Sequence, residues 1–578
     1  MSLPFRITSC LIRPTQILRT QPRLPSSVSL SPFSRNIPST GLSTRFYATC
    51  KPPGSQERKN KPQITLSTTY DVVIAGAGPV GLMLATELQL QGVRVLVVER
   101  RASYDLSAKA GGINTASVEA LERRGFLPAL KAARQSSLLG PKSKKGKGAN
   151  LSPYAASVGH FGGIHVPAGP VDREDPLLRG RGEDGWYLML PQAELEKILF
   201  SRALELGAEV WRGAAVETFM EDECGVKVQT NGEEKEVRGK WLVGCDGGHS
   251  LVRRLAGFDF PGTDPKITGR AATVEIEGAE NLGEGWQYTS KGVYVCGPMP
   301  GRVRTVEFDG PPADKDAPVT AEEMEGSLRR VSGQDIRVHS IRDGTRFTDN
   351  ARQASTYRRG RVFLCGDAAH VHSPFSGQGL NMGLGDAVNL GWKLAATVHG
   401  WAPQGLLETY TLERHPIGVR VLDWTRAQVA VMRGDPDGCA LRRVTTDLLG
   451  TRDGATHYVK QISGLWQRYD LGNETPMVGM TMPRIQMEDG TCLTDHFRDG
   501  HAVLVDLNGN NELATLAGEY AGRLRFVRAI SKDAEVKALF IRPDGFVAWA
   551  ATFGVCDIDE LKVALSCSLG NIKVWPTW

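Results

Sequence analysis

The sequence predicts a chain of mixed α/β and α+β class. A Rossmann-like domain is assembled from two distant stretches, an antiparallel β-sheet is inserted between them, and a further mixed domain follows at the C-terminus. Three observations carry this. Asp71 to Arg101 reads DVVIAGAGPVGLMLATELQLQGVRVLVVERR, an apolar strand, a glycine turn, a helix-periodic run and a second apolar strand. Far downstream, Arg361 to Ala396 reads RVFLCGDAAHVHSPFSGQGLNMGLGDAVNLGWKLAA, again a strand, a Gly-rich loop and a helix. Between Lys266 and about Asn350 the pattern changes to short alternating runs broken by Gly and Pro, which marks antiparallel strands.

Taken in order, the strand Asp71–Ala75 runs into Gly76-x-Gly78-x-x-Gly81 and the helix Pro79–Gln91. Gly76 permits the tight turn, Gly78 lets backbone approach a pyrophosphate, and Gly81 lets the helix pack on the strand. Val93–Val98 is the second strand. Glu99 closes it, where a carboxylate accepts from both ribose hydroxyls. Strand, glycines, helix, strand and acid in register predict a dinucleotide site. The acid favours a ribose without a 2′-phosphate, hence FAD or NAD rather than NADP at this point. Gly111-Gly112 lies in a loop before a helix from Thr115, and Lys142, Lys144, Lys145 and Lys147 read as a solvated loop.

Pro191 to Leu206 is an amphipathic helix with Gln192 in its first turn. Val216–Trp241 alternates like a meander with Asn231-Gly232 as its hairpin turn, and runs into the buried strand Trp241–Cys245. Asp246-Gly247-Gly248 and a short helix with Arg253 and Arg254 follow. In the downstream stretch the apolar run Val362–Cys365 ends in Gly366-Asp367. A loop with Pro374, Gly377 and Gly379 then leads to a helix from about Asn381. Such a loop feeding a helix N-terminus favours an anionic ligand, because free N–H groups and the helix dipole point at it. Leu406 to Arg433 is mostly helical. Beyond a Gly/Pro/Met-rich junction at 470–482, mixed β and α includes Ala502–Leu507, Glu535–Arg542 and Phe546–Ala551. The expected domains are an extension over 1–66, a nucleotide domain over 67–265 and 351–470, a substrate-binding sheet over 266–350 with part of that sheet also from 191–240, and a C-terminal domain over 476–578.

Composition narrows the function classes. Apolar residues make up 41% and charged residues 23%, the ordinary globular range, and no apolar run is long enough for a membrane helix. The net charge is +5, yet residues 1–66 alone carry ten Lys or Arg against one acid, Glu57. The remainder is mildly acidic, which argues against nucleic-acid binding. Ten scattered cysteines without a C-x-x-C pair suit a reducing compartment and predict neither a disulfide framework nor a metal site. The first fifty residues hold no Asp or Glu, and Arg6, Arg13, Arg19, Arg23, Arg35 and Arg45 punctuate a Ser- and Pro-rich stretch. That is transit-peptide composition, and Arg45-Phe46-Tyr47-Ala48 resembles a mitochondrial processing site. The expected location is mitochondrial, otherwise cytoplasmic.

GAGPVG with Glu99, the segment CDGGHSLVRRLAG and the segment CGDAAHVHSPFSGQGLN occur together and in this order. The combination resembles the single-component flavoprotein aromatic hydroxylases related to p-hydroxybenzoate hydroxylase. Within them it is most similar to the phenol hydroxylase and polyketide hydroxylase branch, whose C-terminal domain is thioredoxin-like. The stretch IRPDGFVAW, Ile541–Trp549, matches that branch's tail. The resemblance implies FAD as cofactor and NAD(P)H as co-substrate. Gly76, Gly78 and Gly81 would hold the FAD pyrophosphate and Glu99 the adenosine ribose. Gln192 matches a flavin-binding glutamine, and Asp246 the Asp-Gly motif implicated in FAD and NAD(P)H binding. Asp367 would bond the ribityl chain, while Pro374, Gly377, Gly379, Leu380 and Asn381 would line the isoalloxazine. Two departures stand out: Lys109 where an Arg is usual, and Ser376 where a Gly is usual, although serine disfavours positive φ.

The implied reaction is NAD(P)H-dependent insertion of one oxygen atom from O2 into a phenolic or polyketide-type ring, through a flavin hydroperoxide. No catalytic base is assigned; His370, His372, Tyr288 and Tyr294 are candidates by proximity, and Arg253 and Arg254 read as cofactor-side or surface charges. Baeyer–Villiger insertion and epoxidation use the same scaffold and stay open, as does a flavin-binding interaction protein without turnover. The W-x-W-x-I-P signature of flavin halogenases is absent from the sequence. The C-terminal domain, with Cys492, Cys556 and Cys567 isolated, is expected to serve packing or homodimer formation rather than dithiol chemistry. The resemblance, with the Arg-rich extension, further suggests a place in eukaryotic secondary metabolism or phenol catabolism.

Overall fold

The computed structural model describes residues 69–571, apart from 106–110, 137–156, 183–184, 232–234, 298–299, 316, 530–535 and 553–555. The basic extension with its expected processing site, Lys109, the Lys-rich loop, Gly232 and Glu535 lie outside the described residues.

The strand Thr69–Ala75 is the middle of a parallel array. In spatial order the array runs Val362–Leu364, Lys235–Gly244, Thr69–Ala75, Val95–Glu99 and Glu209–Arg212. Parallel strands are covered on both faces, so they read as unbroken apolar runs rather than alternating ones. Here Val72, Val73 and Ile74 are all fully buried. The helix Pro79–Leu90 packs closely with the helices Gln192–Glu205 and Gln378–Val398. Register then decides where the motifs go. Ala75 lies opposite Val98 on one side and Gly244 on the other, and Gly244 lies opposite Leu364. The residues that follow these positions, Gly76, Glu99, Asp246 and Asp367, therefore leave one carboxyl edge of the sheet together, where ligands of open parallel sheets sit.

The hairpin Val216–Asp222 and Gly225–Thr230 corrects one expectation. It pairs antiparallel with Lys235–Gly239, the first half of the ten-residue strand Lys235–Gly244. Its strands thus extend the nucleotide sheet, and the inserted sheet receives none from 191–240. That inserted sheet has five antiparallel strands, ordered Gly285–Thr289, Gly292–Cys296, Arg302–Glu307, Thr268–Glu277 and Arg337–Phe347. Alternation gives it two faces. Ala272, Val274, Tyr294 and Val303 pack on the helix Ala321–Ser332. Val293, Val295 and Val306 face the other way, toward Trp286, Tyr288 and Phe375.

Sequence periodicity did not reveal a further layer. The hairpin Ser157–Phe161 and Ile164–Pro167 shares a core with the helices Pro436–Leu449 and Arg452–Ser463 through Phe161, Val166, Leu449, Tyr458 and Ile462. In the C-terminal region, Ala502–Asp506 pairs parallel with Leu524–Arg528 across the helix Asn511–Gly518, and antiparallel with Ala538–Ile541. Val547–Ala551 completes the sheet and the helix Ile558–Leu569 closes the domain. The described residues of this domain thus form a β-α-β unit followed by an antiparallel hairpin and a helix, with the first strand inside the four-stranded sheet. Cys492, Cys556 and Cys567 are free thiols.

Charged side chains hold this domain to the rest. Arg124 grips Glu87 through two 2.8 Å bonds and donates to the carbonyls of Phe497 and Pro543. Glu413 accepts two bonds from Arg542 and one each from Lys393 and Asn389. All these groups are buried. Burial pushes the Glu413 carboxyl up, but Arg542 and Lys393 pull it down further, so it stays ionised. Removing one member of a buried ionic set costs about 3–5 kcal/mol, because the partners stay buried and unpaired. Glu413→Ala should therefore lower thermal stability sharply in a calorimetric melt. Replacing Cys492, Cys556 and Cys567 together by Ser should shift the same melt by little, and a comparable loss there would show the thiols to be structural.

Candidate active site

The first glycine turn is built by close approach. Gly76 takes φ +107°, and a Cβ on it would meet the Cys245 carbonyl oxygen at 2.4 Å. A Cβ on Gly81 would lie 2.0 Å from the Gly76 oxygen, whereas one on Gly78 would meet nothing within 4 Å. The first and third glycines are thus packing requirements, and the second opens on free space. The helix Pro79–Leu90 begins there with no side-chain cap and no acid in its first turn. Its N–H groups and dipole are left for an anionic ligand.

Glu99 ends its strand with the carboxylate already oriented, accepting from the N–H groups of Ala77 at 2.7 Å and Arg101 at 2.8 Å. It lines one cleft with Ala77, Gly78, Arg101, Gln192 and Arg212. The Gln192 amide donates to Glu196 at 2.8 Å. Asp246 stands behind the turn. One of its oxygens accepts from the N–H groups of Leu251 and Val252; the other is buried without a hydrogen-bond partner. Arg253 is neither a surface charge nor free. It is buried, sits 3.8 Å over Phe260, and donates to the carbonyls of Ala368 and Gly248. It clasps the second motif to the third. Arg254 donates to the His249 carbonyl.

The turn Gly366–Ala368 presents Asp367 exposed, with no hydrogen bond to any described residue. Behind it Asp386, which no sequence motif marked, is fully buried. One Asp386 oxygen meets the Gly366 N–H at 3.1 Å and His370 Nε2 at 2.6 Å; the other accepts from Arg414 at 2.7 Å. Burial pushes the Asp386 carboxyl up, yet Arg414 and His370 hold it below the usual carboxylate range. His370 is therefore a buried strut. His372 differs. Its Nδ1 lies 2.8 Å from the Ser373 carbonyl, so Nδ1 is the donor and Nε2 carries the lone pair. That Nε2 lies 3.4 Å from where a Cβ on Gly379 would stand, and Asp367 Oδ1 lies 3.7 Å from the same point.

The segment after Pro374 keeps its turn in spite of the serine. Ser376 adopts φ 64°, ψ 14°, and Gly377 follows at φ 61°. Left-handed backbone costs a non-glycine residue about 1–2 kcal/mol. The Ser376 hydroxyl offsets part of that by donating to Gln428 Oε1 at 2.6 Å. The helix begins at Gln378, earlier than the sequence suggested, so Gly379, Leu380 and Asn381 form its first turn. Asn381 is spent on the protein itself. It accepts from the Asn114 N–H and donates to the carbonyls of Gly112 and Gly377. It brackets the segment against the Gly112 strand.

On the inner face of the inserted sheet, Phe375 meets Trp286 at 6.3 Å and Phe347 at 5.9 Å, and Trp286 meets His160 at 4.7 Å. Tyr288 donates its proton to the Gly162 carbonyl at 2.7 Å, and burial pushes its phenol up. Tyr294 lies on the opposite face, against the helix Ala321–Ser332. Tyr288 therefore cannot take a proton from a ligand near neutral pH, and Tyr294 does not face the inner side. His160 and Gln428 had no sequence signature, because the hairpin and the helix that hold them carry no motif.

The sequence matches an FAD binding domain family over residues 69–425 and an aromatic-ring hydroxylase C-terminal family over residues 475–571. A monooxygenase of Claviceps purpurea is 38% identical over 511 residues, covering 86% of this chain and 98% of the relative. The dialkyldecalin synthase of Streptomyces rugosporus is 35% identical, over 86% of this chain and 98% of its own. The solved structure of anhydrotetracycline hydroxylase from Streptomyces rimosus superposes with a TM-score of 0.75 at 38% identity, covering 87% of this chain and all of that one.

Asp367 and Asp386 should separate in experiment. Asp367→Ala removes an unshared carboxylate worth about 1.5–3 kcal/mol to a bound hydroxyl, so FAD affinity should fall roughly tenfold to a hundredfold while the apoprotein melt stays put. Asp386→Asn should lower both. Unchanged FAD affinity in Asp367→Ala would remove that residue from the site. Ser376→Ala keeps the backbone cost and loses the hydroxyl bond, so it should destabilise the protein more than Ser376→Gly, compared by thermal melts.

Proposed function

We propose, from the premise that the chain belongs to the FAD-dependent aromatic-ring hydroxylases, that its substrate is a planar, electron-rich polyketide-type phenol. It would lie between the inner face of the inserted sheet and the Pro374–Asn381 segment. The enzyme is an FAD-dependent monooxygenase. Bound FAD supplies the redox chemistry: it takes electrons from NAD(P)H, activates O2 and delivers one oxygen atom to the ring. The residues present suit this group. The helix N-terminus at Gly78 is uncapped, Glu99 is fixed beside it, and Asp367 is exposed and unshared.

In this reading Gly76, Gly78 and Gly81 shape the pyrophosphate turn, and Glu99 holds the adenosine ribose with Gln192 at the same cleft. Asp367 accepts from the ribityl hydroxyls, with His372 Nε2 as a second acceptor. Asp246 and Arg253 position the two turns rather than touch substrate. Gly379 and Leu380, in the first turn of the helix, offer backbone N–H groups, and Gly379 offers no side-chain bulk, so substrate can reach the ring face. Phe375, Trp286 and Phe347 exclude water from that face, which protects the reactive oxygen from wasteful collapse. The single observation that carries the reading is the register that brings all three motifs to one carboxyl edge, with Asp367 facing open space.

A second reading draws on the dialkyldecalin synthase, a relative whose name describes no oxygen insertion. Ring formation templated by the same cleft is the alternative.

Isotope-labelled O2 separates the two. The hydroxylase reading expects one labelled oxygen in the product and NAD(P)H consumed in step. Product without label, formed at the same rate without nicotinamide, would establish the alternative. Gly379→Val places bulk against His372 and Asp367 and should break coupling, so that NAD(P)H oxidation continues while peroxide replaces hydroxylated product.

A further inference from the structure

The strand Arg302–Glu307 carries one side chain that the fold does not explain. Val303, Thr305 and Glu307 face the helix Ala321–Ser332, where Ser327 bonds both Thr305 and Glu307 at 2.7 Å. By alternation Arg304 and Val306 point to the inner face, the side of Trp286, Phe347 and Phe375. Arg304 lies opposite Ala271 on one neighbouring strand and Val295 on the other, so a small side chain stands beside it.

Several other arginines of this sheet and its helix have carboxylates, while Arg302, on the same strand as Arg304, reaches the Thr273 hydroxyl at 3.4 Å. Arg270 pairs with Glu307 and Glu323, Arg330 with Glu307, and Arg346 with Glu323. Arg304 is half-buried and meets no acceptor and no carboxylate among the described residues. A guanidinium left half-dry on an apolar face is costly unless something pairs with it.

His160 adds the second feature. Its Nδ1 accepts from the Gly163 N–H at 3.3 Å, so its proton sits on Nε2. Burial, His165 and Arg304 together push the ring down to about 4, which keeps it a neutral donor. The His160 carbonyl lies 3.2 Å from the Ser376 hydroxyl, so this corner adjoins the cofactor segment.

We propose that Arg304, with His160 beside it and Trp286 as a stacking wall, binds an ionised oxygen of the substrate, so that the ring enters as a carboxylate or as the anion of an acidic enol. Arg304 supplies the fixed charge and its planar fork, His160 a neutral N–H, and the aromatic wall takes the ring. The inference rests on the proposed substrate face. It narrows that reading from planar phenols in general to those carrying an acidic oxygen. A neutral phenol fits the same wall but leaves the guanidinium unpaired.

The test is binding to the FAD-loaded full-length protein without reductant, read by flavin absorbance and fluorescence, so it does not depend on turnover. Two matched pairs serve as probes: 3-hydroxy-2-naphthoate against 2-naphthol, and 2-hydroxy-1,4-naphthoquinone against 1,4-naphthoquinone. The expected result is at least roughly tenfold tighter binding of an anion over its neutral partner, the scale of one charge-assisted bond. Arg304→Met should abolish the preference, and Arg304→Lys should keep part of it because the charge stays and the fork is lost. The pair that shows the effect identifies the source, carboxylate or enol. Equal binding within both pairs, or a preference that survives in Arg304→Met, overturns the proposal. Should the Met variant lose its flavin, Arg304→Lys decides: a preference undiminished there counts against it. Binding that fits the proposal while labelled O2 gives no labelled product would sink the hydroxylase reading and leave this one standing.

Discussion

One buried carboxylate, Asp386, sets the geometry of the site. It takes the Gly366 N–H, and so fixes the turn that presents Asp367. It takes His370, which lies between that turn and the Pro374 segment, and it takes Arg414 from the helix Glu408–Met432. Arg414 then reaches the Met382 carbonyl and Tyr469. The Gly366 turn, His370 and the helix Glu408–Met432 meet at two oxygen atoms. A buried ionic group of this kind adds little net stability over an apolar replacement, since desolvation opposes the Coulomb gain. What it adds here is position, because ion pairs and hydrogen bonds fix direction where apolar contacts would tolerate sliding.

The same logic governs the attachment of the C-terminal domain. Its edge toward the nucleotide domain is tied by Arg123, Arg124, Glu413, Lys393, Arg542 and Asp544. Lys393 is fully buried, and desolvation lowers its ammonium to about 8 against the opposing pull of Glu413. Glu413 and Arg414 are consecutive on one helix, so the helix Glu408–Met432 serves the domain joint with one side chain and the Asp367 turn, through Asp386, with the next. The matched tail sequence owes its Arg-Pro-Asp-Gly to this joint. Arg542 and Asp544 pair with each other and with the nucleotide domain, and a Cβ on Gly545 would lie 2.4 Å from the Arg123 guanidinium carbon.

What the sequence disclosed and what it hid divide along the range of the interactions. The glycine turn, the strands on either side of it and Glu99 are legible because each depends on neighbours within one βαβ unit. Asp367 is legible because its turn is local. Asp386 and Gln428 are not, since each is an ordinary polar residue in a long helix and acquires its role from partners on other elements, which no local pattern announces. The Val216–Thr230 hairpin was read as strands correctly but given to the wrong sheet, because alternation sets which face is buried and says nothing about which edge is joined. Ser376 shows the converse. Local preference spoke against φ 64°, and a hydroxyl bond to Gln428, invisible in the sequence, holds it there.

Proton chemistry at the substrate face follows from these placements. A phenol becomes a better nucleophile once deprotonated, and a base in the protein is one way to achieve that. Among the described candidates, His370 is tied to Asp386, Tyr288 gives its proton to a backbone carbonyl, Tyr294 is on the far face, and His160 spends its acceptor nitrogen on Gly163. His372 retains a lone pair, yet that nitrogen lies beside Gly379 and Asp367. A face furnished with a fixed cation, a neutral donor and aromatic walls is suited to a ring that has already lost its proton in solution. Arg304 then does by charge what a base would do by transfer: it makes the ionised form the one that binds. Activation of the ring and selection of the substrate become the same event, which accounts for a half-buried arginine that meets no partner among the described residues.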